Sequence, residues 1–222
     1  MRYALPHRKH GSRRPEISER VRKQLASVFQ GDFPALVTAV LPPEAVGKPI
    51  EVWRQHEARI GQRGTLARVW AEGGSRPPAP KDCRSSWAYL FGAVCPARGT
   101  GVGLMLPYAN AGAMNVHLAE IGREVAPGAL AVLVLDGTGW HQTGGGLRVP
   151  ANISLLHLPP YVPELNPVEN LWAFLRGNML SNRILADNNT ILNACCEAWN
   201  WLMQQPKRIT SIASRHWAQV NQ

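Results

Sequence analysis

Two hydrophobic periods divide this chain. Near the N-terminus Val21, Leu25 and Val28 fall at helical spacing, which predicts a helix from about Glu16 to Phe29. A second short helix is predicted over Phe33–Leu41, ended by Pro42-Pro43. From Ile50 the period shortens. Ile50, Val52 and Arg54 share one face of a predicted strand, Ile50–Gln55, and Leu66–Ala71 is a second candidate strand. The run GGSRPPAP over Gly73–Pro80 is a loop by composition. Trp87–Val94 and Val102–Leu106 predict an antiparallel hairpin across the turn Pro96–Gly101. A helix is predicted over Ala113–Val125. Ala129–Leu135 (ALAVLVL) is the most apolar segment, and a continuous apolar run bounded by turns predicts a strand buried on both faces. It stops at Asp136. Ile153–Leu158 predicts another strand, a helix follows from Asn166, and a last helix covers Thr190–Gln204. Strands first, then strands alternating with helices, predict a mixed α/β sheet covered by helices on both faces.

A length of 222 residues allows one domain with an arm, and it is enough to bury a core without disulfides or a structural metal. With 45% hydrophobic and 18% charged residues the composition is that of a globular protein. The longest purely apolar run is only the seven residues of Ala129–Leu135, far short of the ~20 that span a bilayer. No apolar segment follows the basic N-terminus as a signal peptide requires. Cys83, Cys95, Cys195 and Cys196 form no CxxC pair and no zinc spacing, so all four read as reduced thiols. The net charge of +9 favours a polyanionic partner, either nucleic acid or an anionic membrane surface. Eight of the Lys and Arg residues, against two Glu, lie in the first 23 positions, which makes residues 1–44 a basic helical arm and residues 45–222 the main domain.

Two carboxylates stand out. Asp136 ends the central strand, where functional groups of open α/β sheets collect, though an Asp also opens a DGTG turn. Glu169 lies three residues after Asn166, with Pro167 between them. Those positions suit an N-cap, a first-turn proline and a capping box. The other reading is that Glu169 points back at the sheet edge and completes a carboxylate cluster with Asp136.

The run from Tyr161 to Trp172, YVPELNPVENLW, resembles the DDE endonuclease domain of bacterial insertion-sequence transposases, specifically the mariner-related insertion sequence six-thirty family. The resemblance takes in Leu133–Gly137 with Trp140-His141, Glu57–Gly61 with Gly64-Thr65, and Trp87–Tyr89 with Phe91–Ala93, and covers roughly residues 33–205. It implies an RNase H-like fold with three acidic ligands for two Mg²⁺ or Mn²⁺ ions, which activate the attacking oxygen and stabilise the leaving one. Asp136 falls on the second acid and Glu169 on the third. It further implies DNA as partner, both transposon ends and target, a homodimer on DNA, and a bacterial cytoplasmic, nucleoid-associated location. Arg59, Arg63, Arg68 and His141 are the DNA-binding candidates, with an ordinary solvated face as the other reading of the three arginines. His141 could instead orient a ligand, or be a hydrogen-bonded structural residue.

The chain departs from the family pattern in two places. His56-Glu57 stands where relatives have Asp-Glu, so His56 occupies the position of the first acid. An imidazole is a poor ligand for Mg²⁺, and Glu57, its neighbour on a strand, should face the other way. The sequence also has only about 30 residues before the matching region, too few for the paired helix-turn-helix of relatives. The expectation is transposase-type DNA strand cleavage and transfer, impaired at His56, with a non-catalytic DNA-binding remnant as the alternative. A third class, an unrelated α/β enzyme acting on a small anion, finds no Gly-rich phosphate loop, nucleophile elbow or zinc motif.

Overall fold

The computed structural model of the protein describes residues 18–62, 72–73, 84–137, 139–141 and 146–219. Five strands, β1 (Ile50–Gly61), β2 (Trp87–Cys95), β3 (Thr100–Leu106), β4 (Leu130–Leu135) and β5 (Ile153–His157), form one sheet in the order β3-β2-β1-β4-β5. β1, β2 and β3 pair antiparallel, whereas β1–β4 and β4–β5 are parallel. Five helices pack on it: α1 (Glu19–Val40), α2 (Ala111–Glu124), α3 (Val168–Leu175), α4 (Asn188–Met203) and α5 (Pro206–Ala213). The expected mixed sheet with helices on both faces is what forms.

The period-two rule sorts the core. Ala131, Leu133 and Leu135 of β4 face α2 and pack with Trp53, Phe91, Met114, Leu118 and Ile121. Val132 and Val134 face the other way, onto Phe29, Phe33 and Val37 of α1. Further along that same face, α3, α4 and α5 cover Ala58, Ile60, Leu90 and Val94. A strand buried on both faces explains why β4 reads as an unbroken apolar run.

Three expectations need correction. The two short N-terminal helices are one helix, α1, which begins at Glu19 after the Ser18 cap and runs through Pro34. An internal proline costs about 3 kcal/mol. Burial of Phe29, Phe33 and Val37 on one stripe, at about 1.5–3 kcal/mol each, outweighs it. That stripe is not the predicted one: Val21 and Val28 are exposed, and the buried face is Ala26, Phe29, Phe33 and Val37. The first strand is twice its predicted length and carries on to Gly61, so it includes His56 and Glu57. α5 was not predicted, because only Ile209 and Ala213 anchor it. The candidate strand Leu66–Ala71, most of the loop Gly73–Pro80, and Cys83 lie outside the described residues. Cys95, Cys195 and Cys196 are free thiols. Among the described residues no helix is long and apolar enough to cross a membrane.

Gly92 of β2 pairs with His56 across the sheet and leaves room for two indoles. A Cβ there would run into the Trp172 ring and stand 2.9 Å from Trp199 Cη2. Gly92→Ala is therefore expected to cost about 1–3 kcal/mol in urea unfolding. An unchanged midpoint would show that the Trp172–Trp199 pair gives way freely.

His117 of α2 is fully buried, and neither ring nitrogen has a hydrogen-bond partner. Burial pushes its pKa down to about 4. An unfolded chain takes up a proton here near pH 6.5 and the folded chain does not. The His117 contribution is thus intact above about pH 6.5 and is lost as the pH falls towards 4, by up to about 3 kcal/mol. Unfolding midpoints of the wild type between pH 7.5 and 4.5 should fall more steeply than those of His117→Leu, and parallel curves would refute this.

Candidate active site

The site is assembled at the edge of the sheet where β4 ends. Asp136 is the first residue after β4, and β1 places His56 beside it. The third member depends on Asn166. This side chain is 3% exposed, its Nδ2 donates to the Gln55 carbonyl at 2.8 Å, and its Oδ1 accepts from the Val168 N–H at 3.3 Å. The start of α3 is thereby fastened to β1 one residue before His56, so Glu169 in the first turn faces that histidine. His56 Nε2 lies 3.2 Å from Glu169 Oε1 and 3.8 Å from Asp136 Oδ2. The Glu169 side chain is directed at His56, while the Asn166 N–H that a capping box would use donates to the Pro163 carbonyl at 2.9 Å. All three side chains are between a fifth and two-fifths exposed, accessible to a ligand from solvent.

The tautomer of His56 follows from its other neighbour. The Trp172 indole N–H can only donate, and it points at His56 Nδ1 at 3.4 Å. Nδ1 therefore accepts and the ring proton sits on Nε2, on the side of Glu169 at 3.2 Å, with Asp136 further off at 3.8 Å. In this state His56 offers the cluster a hydrogen-bond donor where a carboxylate would offer lone pairs.

Behind Asp136 lies an arrangement the sequence did not reveal. His141, fully buried, holds Asp136 Oδ1 with Nδ1 at 2.7 Å and Glu57 Oε1 with Nε2 at 2.7 Å. Burial opposes a charged imidazole, but the hydrogen bonds to Asp136 and Glu57 outweigh it and raise its pKa to about 9. Burial likewise opposes the Glu57 carboxylate, and the His141 hydrogen bond reverses that too, leaving its pKa below the ordinary value. Gln55 Nε2 adds a donor to Glu57 at 3.1 Å, and His157 Nε2 meets the His141 carbonyl at 2.9 Å. Glu57 points to the opposite face of β1 from His56, as strand alternation requires, and is joined to Asp136 through His141. His141, a DNA-binding candidate by sequence, is turned inward and acts on Asp136. Arg59 is exposed and stacks over Trp87 at 4.1 Å, whereas Arg63 and Arg68 lie outside the described residues.

The sequence profile described as DDE superfamily endonuclease matches residues 51–192, well over half of the chain, and spans all three site residues. The chain belongs to this family. An uncharacterized protein of Sinorhizobium fredii, y4pE/y4sA, is 60% identical over 132 residues, which is 60% of this chain and 97% of that protein. The catalytic domain of Mos1 mariner transposase superposes with a TM-score of 0.50 at 13% identity, covering 87% of this chain and 92% of that one. Mos1 paired-end complexes with Mn and with Mg superpose with TM-scores of 0.52 and 0.53 at 15% and 14% identity, covering 90% and 95% of this chain. The chain spans 64% and 61% of those Mos1 chains, less than two thirds. At such identities the likeness establishes the fold: this DDE-family chain has the RNase H-like α/β architecture of a transposase catalytic domain.

Proposed function

We propose that this chain performs transposase-type DNA strand cleavage and transfer at the His56–Asp136–Glu169 cluster, at a rate held down by His56. The observation that supports this best is the convergence of these three side chains, from β1, the end of β4 and α3, on one accessible edge of the sheet. Membership of an endonuclease family gives the reaction class, and divalent ions accompany the Mos1 complexes.

Asp136 and Glu169 are hard oxygen donors of the kind that hold Mg²⁺ or Mn²⁺. The third donor is mismatched, since His56 turns a proton-bearing Nε2 towards Glu169 at 3.2 Å, with Asp136 at 3.8 Å. Among the described residues no three His, Cys, Asp or Glu side chains are already arranged around a metal position. The two carboxylates fit the ions and His56 does not. Bound there, two divalent ions would activate the attacking oxygen and neutralise the leaving one. The protein's part is to fix the donors. His141 locks Asp136 by Oδ1, while Oδ2 lies 3.8 Å from His56 Nε2. Asn166 fixes the turn that carries Glu169.

The substrates are transposon ends and target DNA, two copies act together on DNA in the bacterial cytoplasm at the nucleoid, and the basic residues of 1–44 add to DNA affinity. Binding to duplex DNA should weaken about a hundredfold or more between about 50 and 200 mM salt. No binding at low salt, or binding indifferent to salt, contradicts the reading. Mn²⁺-dependent nicking of supercoiled plasmid that disappears in Asp136→Ala and in Glu169→Ala tests the chemistry itself.

A further inference from the structure

A second polar constellation lies on the same sheet face, towards the start of β1. Arg54 is 1% exposed, yet neither terminal nitrogen of its guanidinium, Nη1 or Nη2, has a hydrogen-bond partner. Its flat faces are occupied: the guanidinium carbon lies 4.9 Å from the Trp217 ring centre and 5.4 Å from that of Phe33. The rings hold the group by cation–π attraction and leave its edge donors unmet. Arg54 lines a cavity of about 340 Å³ whose wall also includes Thr210, Ser214 and Arg215. Arg215 donates to the carbonyls of Ile212 and Ser214, which fixes its guanidinium among the lining residues. Among the described residues no Asp or Glu lines the cavity.

Burying a charge without a counter-charge costs several kcal/mol. Burial, and then the nearby Arg215, lower the Arg54 pKa to about 9, which still leaves it charged at neutral pH. Two cations, an unmet guanidinium fork and no carboxylate describe a seat for an anion with two or more acceptor oxygens and more than one negative charge. Guanidinium edges meet such oxygens in pairs.

We propose that the Arg54–Arg215 cavity binds a phosphate group. The site is separate from the carboxylate cluster, because it is built from the first half of β1, the turn after β2, and α5 with the segment that follows it. The phosphate chemistry could be supplied by free inorganic phosphate or by a terminal phosphate of a nucleic acid.

Thermal unfolding of the full chain in EDTA separates these sources and keeps divalent ions out of the result. With 10 mM inorganic phosphate or with a 5′-phosphorylated dinucleotide, each compared with chloride at equal ionic strength, Tm should rise by roughly 2–4 °C. A rise with inorganic phosphate assigns the free ion, and a rise only with the dinucleotide assigns a nucleic-acid phosphate. Arg54→Met should abolish the rise, and Arg215→Gln should at least halve it. If Arg54→Met does not fold, Arg215→Gln decides alone. No rise with either ligand, an equal rise with acetate, or a full rise in Arg215→Gln overturns the proposal.

Discussion

Substituting aspartate for His56 is expected to raise Mn²⁺-dependent nicking of supercoiled plasmid by about 100-fold or more. That is the usual scale for gain or loss of one electrostatic group at a reacting centre. The reason lies in the pair of contacts at His56 Nε2, 3.2 Å from Glu169 and 3.8 Å from Asp136. A proton-bearing nitrogen there draws on the same oxygens that a metal ion needs. Aspartate at position 56 removes that donor, adds a third carboxylate and leaves the Trp172 indole N–H a carboxylate to meet. Titration calorimetry should show tighter Mn²⁺ binding by His56→Asp than by the natural chain. If the natural chain nicks as fast as His56→Asp while Asp136→Ala nicks nothing, His56 is a competent ligand and the account of its tautomer is wrong. If no form nicks DNA, catalysis is absent from the chain and DNA binding is what remains of the proposed function.

Removing the His141 imidazole is expected to be the most damaging change to stability. Glu57 is 8% exposed at its side chain and holds its charge through His141. His141→Ala leaves that carboxylate buried without its cation, a loss of about 3–5 kcal/mol and roughly 10 °C or more in Tm. The double variant His141→Ala/Glu57→Gln should recover a measurable part of the loss, because the stranded charge is gone. A cost below about 1 kcal/mol, or no recovery in the double variant, would show that the Asp136–His141–Glu57 chain is not the support described above.

Much of this could be read from the sequence, and the failures have physical causes. β4 announces itself because both its faces are buried, and the β2–β3 hairpin because its turn is short and local. Asp136 and Glu169 came from a family pattern, and the fold brings them to the same edge. The continuity of α1 was hidden because Gly31 and Pro34 are local breakers, and only the distant contacts of Phe29 and Phe33 with β4 and Trp217 overrule them. Glu57 was set aside because a strand neighbour of His56 must face away. It does face away, and no spacing rule shows that His141 bridges the sheet edge to reach it. Arg54 read as a marginal strand position, since nothing local reveals that two aromatic rings from opposite ends of the chain enclose it.

The sheet order also sets when the site comes into being during folding. β2 and β3 are joined by a short turn, and a hairpin of that kind closes in about 1–10 μs. β1 and β4 are not joined that way: Ile50 pairs with Leu130 only after the hairpin and α2 have been threaded between them. Closing so long a loop is entropically expensive and slow. Glu169 is expected to arrive later still, since the native docking of α3 through Asn166 requires β1 in place. A nascent or half-folded chain can therefore possess the hairpin and a collapsed core while its three site residues are still apart. On the proposed reading, metal loading and DNA cleavage would be open only to molecules that have finished folding.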